Sequence, residues 1–245
     1  MTGASGDVLR VAIIGAGKMG RAIAALAPER GTEVVATITG RENPGGSGIS
    51  TASLRGAEVA IEFTEPSAAP TNIEACVDAG VPVVCGTTGW YDQLEAVASD
   101  VRRNDGALLY AANFSVGVAI FLRVVEAAAR AVAAAGEFDA HIVETHHAAK
   151  KDAPSGTALL VQRAAAAGLG RDVPTTSVRT GSVPGTHEIL FDAPFEQIRL
   201  EHAARDRRVF ADGALRAARW LRDRRGVFTM SDVLGAPAPG GGEER

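Results

Sequence analysis

The chain has 245 residues, 46% apolar and 5% aromatic, so it can bury one large core or two small ones built mainly from Ala, Val, Leu and Ile. Its 25 basic and 29 acidic residues leave a net charge of −4, which provides no global basic field for nucleic acid or an anionic membrane surface. Cys76 and Cys85 are too few for a secreted disulfide framework and lie in no metal-binding spacing, so buried thiols, no metal and a cytoplasmic location are expected.

No apolar run reaches the roughly twenty residues that span a bilayer, so no membrane partner is expected. Met1 to Asp7 is polar and lacks the regions of a signal peptide. Val8 to Ile14 is rich in branched apolar residues and is predicted as a buried strand. Gly15-Ala16-Gly17-Lys18-Met19-Gly20 follows, then a predicted helix over Arg21 to Arg30 that stops at Gly31. Strand, Gly-x-Gly-x-x-Gly and helix is the dinucleotide-binding order. The first glycine permits the tight turn, the second lets backbone approach a pyrophosphate, and the third lets helix and strand pack closely. These six residues are candidate cofactor ligands, with the helix N-terminus facing the phosphates.

Glu33 to Thr39 is predicted as the second strand. An acid at its end normally holds the ribose 2′-hydroxyl. This strand ends Ile38-Thr39-Gly40-Arg41-Glu42, with no acid at the tip; Arg41 suits a 2′-phosphate about as readily as a solvated loop. Thr39 and Arg41 join the candidate cofactor ligands, and the reading leans to NADPH or to use of both NADPH and NADH. Asn43 to Ser50 is expected as an exposed loop. Glu58 to Thr64, Val81 to Cys85 and Ala107 to Ala112 are predicted strands, with helices over Ser67 to Ala79 and Trp90 to Asn104. Gly86, Thr87 and Thr88 follow the fourth strand, where ligands bind in an open α/β sheet. The alternation predicts an α/β fold with a Rossmann-type doubly wound parallel sheet.

From Val116 the pattern changes. One long helix is predicted over Val116 to Ala135, a strand over Phe138 to Val143, and a helix from Gly156 to Ala167 with Pro154 and Ser155 as start signals. Three strand-like runs follow, Thr175 to Thr180, His187 to Ala193 and Gln197 to Ala203, which predict a second, α+β domain. A last helix lies within Arg205 to Arg224, its arginines read as a solvated helix end. The Gly/Pro-rich tail from Gly235 is expected to fray. The expected division is a dinucleotide-binding domain, 1–114 completed by 210–245, and a substrate-binding and oligomerisation domain, 115–209.

Between the predicted strand and helix of that second domain lies Glu144-Thr-His-His-Ala-Ala-Lys-Lys-Asp-Ala-Pro-Ser-Gly-Thr157. It packs His146, His147 and Lys150 ahead of a helix start, placing proton donors and anion-binding groups together. The stretch from His146 to Ala158 resembles the signature of the dihydrodipicolinate reductase family. So do Gly86-Thr87-Thr88-Gly89, the run Ala111-Ala112-Asn113-Phe114-Ser115-Val116-Gly117, Gly185-x-His187-x-x-x-Phe191, Phe210-Ala211-x-Gly213-Ala214 and Met230-x-Asp232-Val233-Leu234. They occur in the family's order over nearly the whole chain, and Asp152 to Thr157 beside a His pair is the most specific. The chain departs from the family in a shorter first glycine loop, in Thr39 where an acid is common, and in overall length.

The resemblance implies NAD(P)H-dependent reduction of 4-hydroxy-tetrahydrodipicolinate, a small cyclic dicarboxylate, to tetrahydrodipicolinate in diaminopimelate and lysine biosynthesis, by a homotetramer. It implies that His146 and Lys150 are catalytic and that His147, Gly156 and Thr157 hold the substrate. It adds Ala111, Ala112, Asn113 and Phe114 to the cofactor-binding set. The residues fit these roles. Lys150 among other cations is a better acid, and His146 titrates near neutrality. Ser155, Gly156 and Thr157 bring N–H groups and hydroxyls to a helix start, suited to a carboxylate. Asp152 is expected to neutralise the lysines or cap the turn, and Lys151 to be a surface charge. The rival readings are another small-molecule dehydrogenase of aspartate or homoserine type, and a non-catalytic nucleotide-sensing relative; the latter is expected to have lost His146 or Lys150.

Overall fold

A computed structural model describes residues 8–235. The polar start at 1–7 and the Gly/Pro-rich tail at 236–245 lie outside the described residues. The chain divides into two compact units, one ending at Phe114 and resuming at Phe210, the other running from Ser115 to Val209.

The first unit holds six parallel strands in the order β10-β5-β4-β3-β1-β2. They are β1 (Leu9–Ile14), β2 (Thr32–Ile38), β3 (Val59–Glu62), β4 (Val83–Cys85), β5 (Ala107–Tyr110) and β10 (Gly226–Phe228). Helices α1 (Lys18–Leu26), α2 (Ala69–Asp78), α3 (Leu94–Arg103) and α6 (Arg208–Leu221) accompany them, α6 beginning at the junction of the units, and α7 (Met230–Val233) follows β10. Strands β1, β3, β4 and β5 are short apolar runs buried almost throughout, as a parallel sheet with both faces covered requires.

In the second unit α4 (Val116–Ala135) and α5 (Gly156–Leu169) accompany a four-stranded sheet ordered β7-β6-β8-β9. Its strands are β6 (Asp139–His146), β7 (Thr175–Arg179), β8 (Thr186–Ala193) and β9 (Glu196–Ala203). β6 and β7 are parallel, and the other neighbours are antiparallel. Phe121, Val125 and Ala129 of α4, Val161 and Ala165 of α5, and Ile142, Ile189 and Phe191 of the sheet form its core. At 20 residues α4 runs from the Ser115 cap, whose hydroxyl accepts the Val118 N–H, to Gly136 in the left-handed region.

Several elements differ from expectation. Helix α1 starts at Lys18, inside the glycine motif, and gives way to a 3₁₀ turn over Ala27–Arg30 where Pro28 cannot continue the ladder. Trp90 is buried and non-helical, its indole N–H donating to the Thr87 carbonyl at 2.8 Å. The expected loop at Asn43 to Ser50 is partly internal: Ile49 is buried, and the Asn43 side chain bridges Asn72 and the Gly48 N–H. Strand β10 is an element that the sequence reading did not include. Most consequentially, β6 runs through to His146 rather than stopping at Val143, so Glu144 and His146 are strand residues.

Candidate active site

Strand alternation assembles the ionisable centre of the second unit. Ala140, Ile142, Glu144 and His146 share the buried side of β6; the first two are core, and the last two end the strand. Register supplies the neighbours. Ser177 of β7 lies opposite Glu144, Arg179 opposite His146, His187 of β8 opposite Glu144, and His202 of β9 opposite His187. Ser177, Glu144, His187 and His202 thus make one row across four strands.

Glu144 is completely buried. One carboxylate oxygen takes the His146 Nδ1–H; the other takes an Arg179 N–H at 2.6 Å and the Ser155 backbone N–H at 3.3 Å. Burial alone raises a carboxyl pKa, but donors from Arg179, Ser177 and His146 outweigh it and hold Glu144 down at about 2. Burial pushes His146 below its ordinary value, opposed by Glu144 and reinforced by Lys150 and Arg179. Burial, aided by the nearby His146, pushes His187 down to about 4, so that ring stays neutral. A side chain at position 185 would bring a Cβ within 3.0 Å of His146 Nε2, which is why glycine faces the imidazole there. Glu144, His146 and His187 offer atoms within 4.8 Å of one another, a spacing open to a metal ion. The N–H donors on the carboxylate and the adjacent guanidinium make it a proton network instead.

Ser155 caps α5: its hydroxyl accepts the Ala158 N–H at 3.1 Å and pairs with His187 Nε2 at 3.2 Å. With its own N–H on Glu144 and 2% exposure, Ser155 faces inward. The expected carboxylate cradle therefore narrows to the helix start beyond it, where Gly156 is exposed with no heavy atom within 4 Å of an added Cβ. Thr157 is half-buried beside it. The Lys150 ammonium lies 2.8 Å from the Asp152 carboxylate, which it holds below the usual range, while its charge also acts on His146. Asp152 is thus the lysine's counter-ion, and Lys151 is exposed. His147 Nε2 accepts an N–H of Arg207 at 2.8 Å.

Glu144, Arg179, His187 and Arg207 were missed as site residues. Glu144-x-His146 was legible as two residues on one strand face, and His187 stood in a recognised motif. The places of Arg179 and Arg207 follow only from tertiary structure.

In the first unit, Gly15 has φ +101°, and a Cβ there would sit 2.2 Å from the Phe63 carbonyl oxygen; a Cβ on Gly20 would sit 2.0 Å from the Gly15 oxygen. Both glycines are required by the turn and by helix–strand contact. Gly17 faces open space and starts α1, which has no side-chain cap and no acid in its first turn, while Lys18 is exposed beside it. An uncapped helix start with a neighbouring cation fits a pyrophosphate. Ala16 and Met19 are half-buried between these positions.

The acid absent from the β2 tip in sequence is present in space. Glu42 folds back so that its carboxylate accepts the Thr39 N–H at 3.0 Å and hydroxyl at 2.7 Å; those bonds lower its pKa. Arg41 is exposed next to it. A Cβ on Gly86 would strike the Phe63 ring; the Thr87 hydroxyl accepts the Thr64 N–H at 2.8 Å; Thr88 is exposed. Ala111, Ala112 and Asn113 are at least partly accessible after β5, whereas Phe114 is buried against Phe63 with ring centroids 5.7 Å apart. Phe114 is therefore a packing residue whose side chain supports the loop.

The sequence matches the family models for the N-terminus and C-terminus of dihydrodipicolinate reductase over residues 9–114 and 117–234. It is 34% identical over 240 residues to the 4-hydroxy-tetrahydrodipicolinate reductase of Christiangramia forsetii, covering 92% of this chain and 98% of the relative. It is 36% identical over 269 residues to the enzyme of the same name from Thiobacillus denitrificans, covering 93% and 98%. The fold is similar to that of a dipicolinate-bound dihydrodipicolinate reductase from Paenisporosarcina sp. TG-14, with a TM-score of 0.76, 23% identity, and coverage of 91% and 98%.

Proposed function

From the premise that this chain belongs to the dihydrodipicolinate reductase family, we propose that its reaction is run by a proton site in the second unit and a nucleotide site in the first. The chain is a nicotinamide-dinucleotide-dependent oxidoreductase that reduces 4-hydroxy-tetrahydrodipicolinate in diaminopimelate and lysine biosynthesis. The observation that carries the residue assignment is the His146–Glu144–Arg179 network beside Lys150 at the start of α5.

When bound, the nicotinamide supplies the hydride, and with the proton added and the 4-hydroxyl lost as water the change to tetrahydrodipicolinate balances. The chain's own residues hold the small dicarboxylate and handle the proton. Gly156 and Thr157 receive a carboxylate at the α5 N-terminus, where backbone N–H groups point outward. His147 and Arg207 supply further donors for an anionic substrate. Lys150, drawn from Asp152 to the substrate, is the proton donor, and His146 passes or replaces that proton at Nε2. Gly15 to Gly20 and the α1 start receive the pyrophosphate, with Gly86 to Thr88 and Ala111 to Phe114 forming the loops beside them. The presence of both Glu42 and Arg41 at the β2 tip supports use of NADH and NADPH alike: an acid for ribose hydroxyls, a guanidinium for a 2′-phosphate.

Assembly as a homotetramer through the second sheet is the oligomeric part of the proposal. It is supported by the edge strand β9, with Ile198 37% exposed, and by Phe195 fully exposed at the β8–β9 turn. Residence in the cytoplasm is supported by the two buried, free thiols. No helix among the described residues is long and apolar enough to cross a membrane.

Steady-state oxidation of NADH and of NADPH, driven by the freshly formed aldol product of pyruvate and aspartate semialdehyde, tests the function. Turnover with that product is expected for both nucleotides. Turnover only with aspartate or homoserine would transfer the chain to the rival dehydrogenase reading, and nucleotide binding without any turnover would revive the sensing one.

A further inference from the structure

We propose that Glu144, clamped by Arg179, is a positioning residue for the reduction, fixing His146 as the Nδ1–H tautomer with Nε2 bare and tying that ring to the loop that carries Lys150. This rests on the reading of His146 and Lys150 as the proton-handling pair.

The geometry leaves one arrangement. Glu144 is completely buried and ionised, so it only accepts hydrogen bonds. Its contact with His146 Nδ1 therefore requires a hydrogen on Nδ1, and the neutral ring carries its free lone pair on Nε2. Arg179 supplies the matching positive charge from β7: one of its nitrogens donates both to Glu144 and to the Asp152 carbonyl, each at 2.6 Å. The Asp152 carboxylate in turn holds the Lys150 ammonium at 2.8 Å. A single guanidinium thus joins the carboxylate behind one proton carrier to the backbone beside the other.

The third tie is Ser155, whose N–H on Glu144 fixes the start of α5 to the same anion. The charged and titratable groups facing His146 are Glu144 on its own strand, Arg179 on β7, His187 on β8, and Lys150 with Asp152 on the loop. Among them only the Glu144 carboxylate contacts the ring and stabilises its protonated form. A carboxylate behind an imidazole fixes tautomer and orientation and favours the imidazolium that forms when Nε2 takes a proton.

A purely structural buried ion pair would make the same bonds, so the test reads the ring itself. In Glu144→Gln the carboxamide oxygen stays with Arg179, because an NH₂ group cannot face a guanidinium. The NH₂ then meets His146 and requires a bare Nδ1, which moves the ring hydrogen to Nε2. The experiment is ¹⁵N NMR of imidazole-labelled full-length protein, with the His146 signals assigned by their loss in His146→Gln, together with pH profiles of kcat for wild type, Glu144→Gln and Glu144→Asp.

The expected results are a neutral His146 protonated on Nδ1 in wild type and in Glu144→Asp, and on Nε2 in Glu144→Gln. Turnover in Glu144→Gln falls on the order of 10- to 100-fold. Its His146 limb moves to lower pH, the nucleotide KM stays within about twofold, and Glu144→Asp recovers part of the rate. Wild-type His146 protonated on Nε2 would overturn the proposal, and that arm needs no variant to fold. An unchanged tautomer in Glu144→Gln, or a loss of rate equal at every pH, would overturn it as well. Wild-type turnover in His146→Gln would instead remove His146 from the chemistry while leaving the tautomer result standing.

Discussion

Among the described residues each unit buries one carboxyl side chain completely, and the two are held in different ways. Glu62, at the end of β3, takes the Thr64 hydroxyl, the Asn72 amide at 3.3 Å and the Cys85 thiol at 3.1 Å. Its partners are neutral, and burial with Glu62 nearby keeps the Cys85 thiol well above its ordinary pKa, so it stays protonated. Through Asn72 and Asn43 the same network reaches the loop after β2, so Glu62 ties strand ends and loop together. Glu144 is surrounded by a guanidinium and by an imidazole whose proton can move. The groups around Glu62 do not titrate near neutrality, whereas Glu144 lies against an imidazole that can gain a proton.

Breaking the first unit should cost most. Gly15→Val places a side chain 2.2 Å from the Phe63 carbonyl oxygen at a positive φ, so a loss of roughly 3–5 kcal/mol in urea stability, or outright misfolding, is expected. Gly17→Val meets open space, so the protein should keep its fold and lose on the order of 100-fold in nucleotide affinity, about 2.7 kcal/mol, by fluorescence titration. Equal losses of stability in both variants would erase the distinction between the packing glycines and the ligand-facing one.

Acid should act on the second unit in two steps. His187 binds its proton at about 4 when folded against an ordinary 6.5, so the unfolded chain holds the extra proton between those values. Its stabilisation is complete above pH 6.5 and is lost as pH falls toward 4, roughly 3 kcal/mol in all. Glu144, depressed to about 2 from 4.5, adds stability above pH 4.5 that disappears as pH falls toward 2. Urea denaturation from pH 7 to 4 reads the first step; a flat profile would contradict the buried neutral imidazole.

Smaller effects separate the remaining roles. Arg41→Ala should shift the ratio of kcat/KM for NADPH over NADH several-fold, about 1 kcal/mol, toward NADH, and Glu42→Gln should shift it the other way. Glu62→Gln should leave the pH profile of kcat in place, because no ring proton depends on it. A displaced profile there would make the two buried carboxylates equivalent.

Most of the fold was legible because its elements carry clear periodicity or end signals: the apolar run of β1, the bounds of α4 at Ser115 and Gly136, and the α5 cap at Ser155. β10 was missed because Gly226 to Phe228 is too short for periodicity and follows an arginine-rich helix end. In the site, His146, His147 and Lys150 stood out by local density. Arg179 did not, since only the parallel register of β7 with β6 brings it beside His146. Glu42 stands three residues beyond Thr39, where the sequence shows no strand-tip acid, and a local turn closed by the Glu42 N–H on the Thr39 carbonyl carries its carboxylate back to the tip. Ser155 was correctly read as a helix start, but its inward bonds to His187 and Glu144 depend on partners remote in sequence.

In the proposed assignment proton handling resides in the second unit and nucleotide capture in the first. Lys150→Ala, measured for kcat with the cyclic substrate and for NADPH Kd on the same preparation, tests it most directly. The expected result is a kcat lower by roughly 10²- to 10⁴-fold with a Kd within about twofold of wild type. Wild-type kcat in that variant would contradict it.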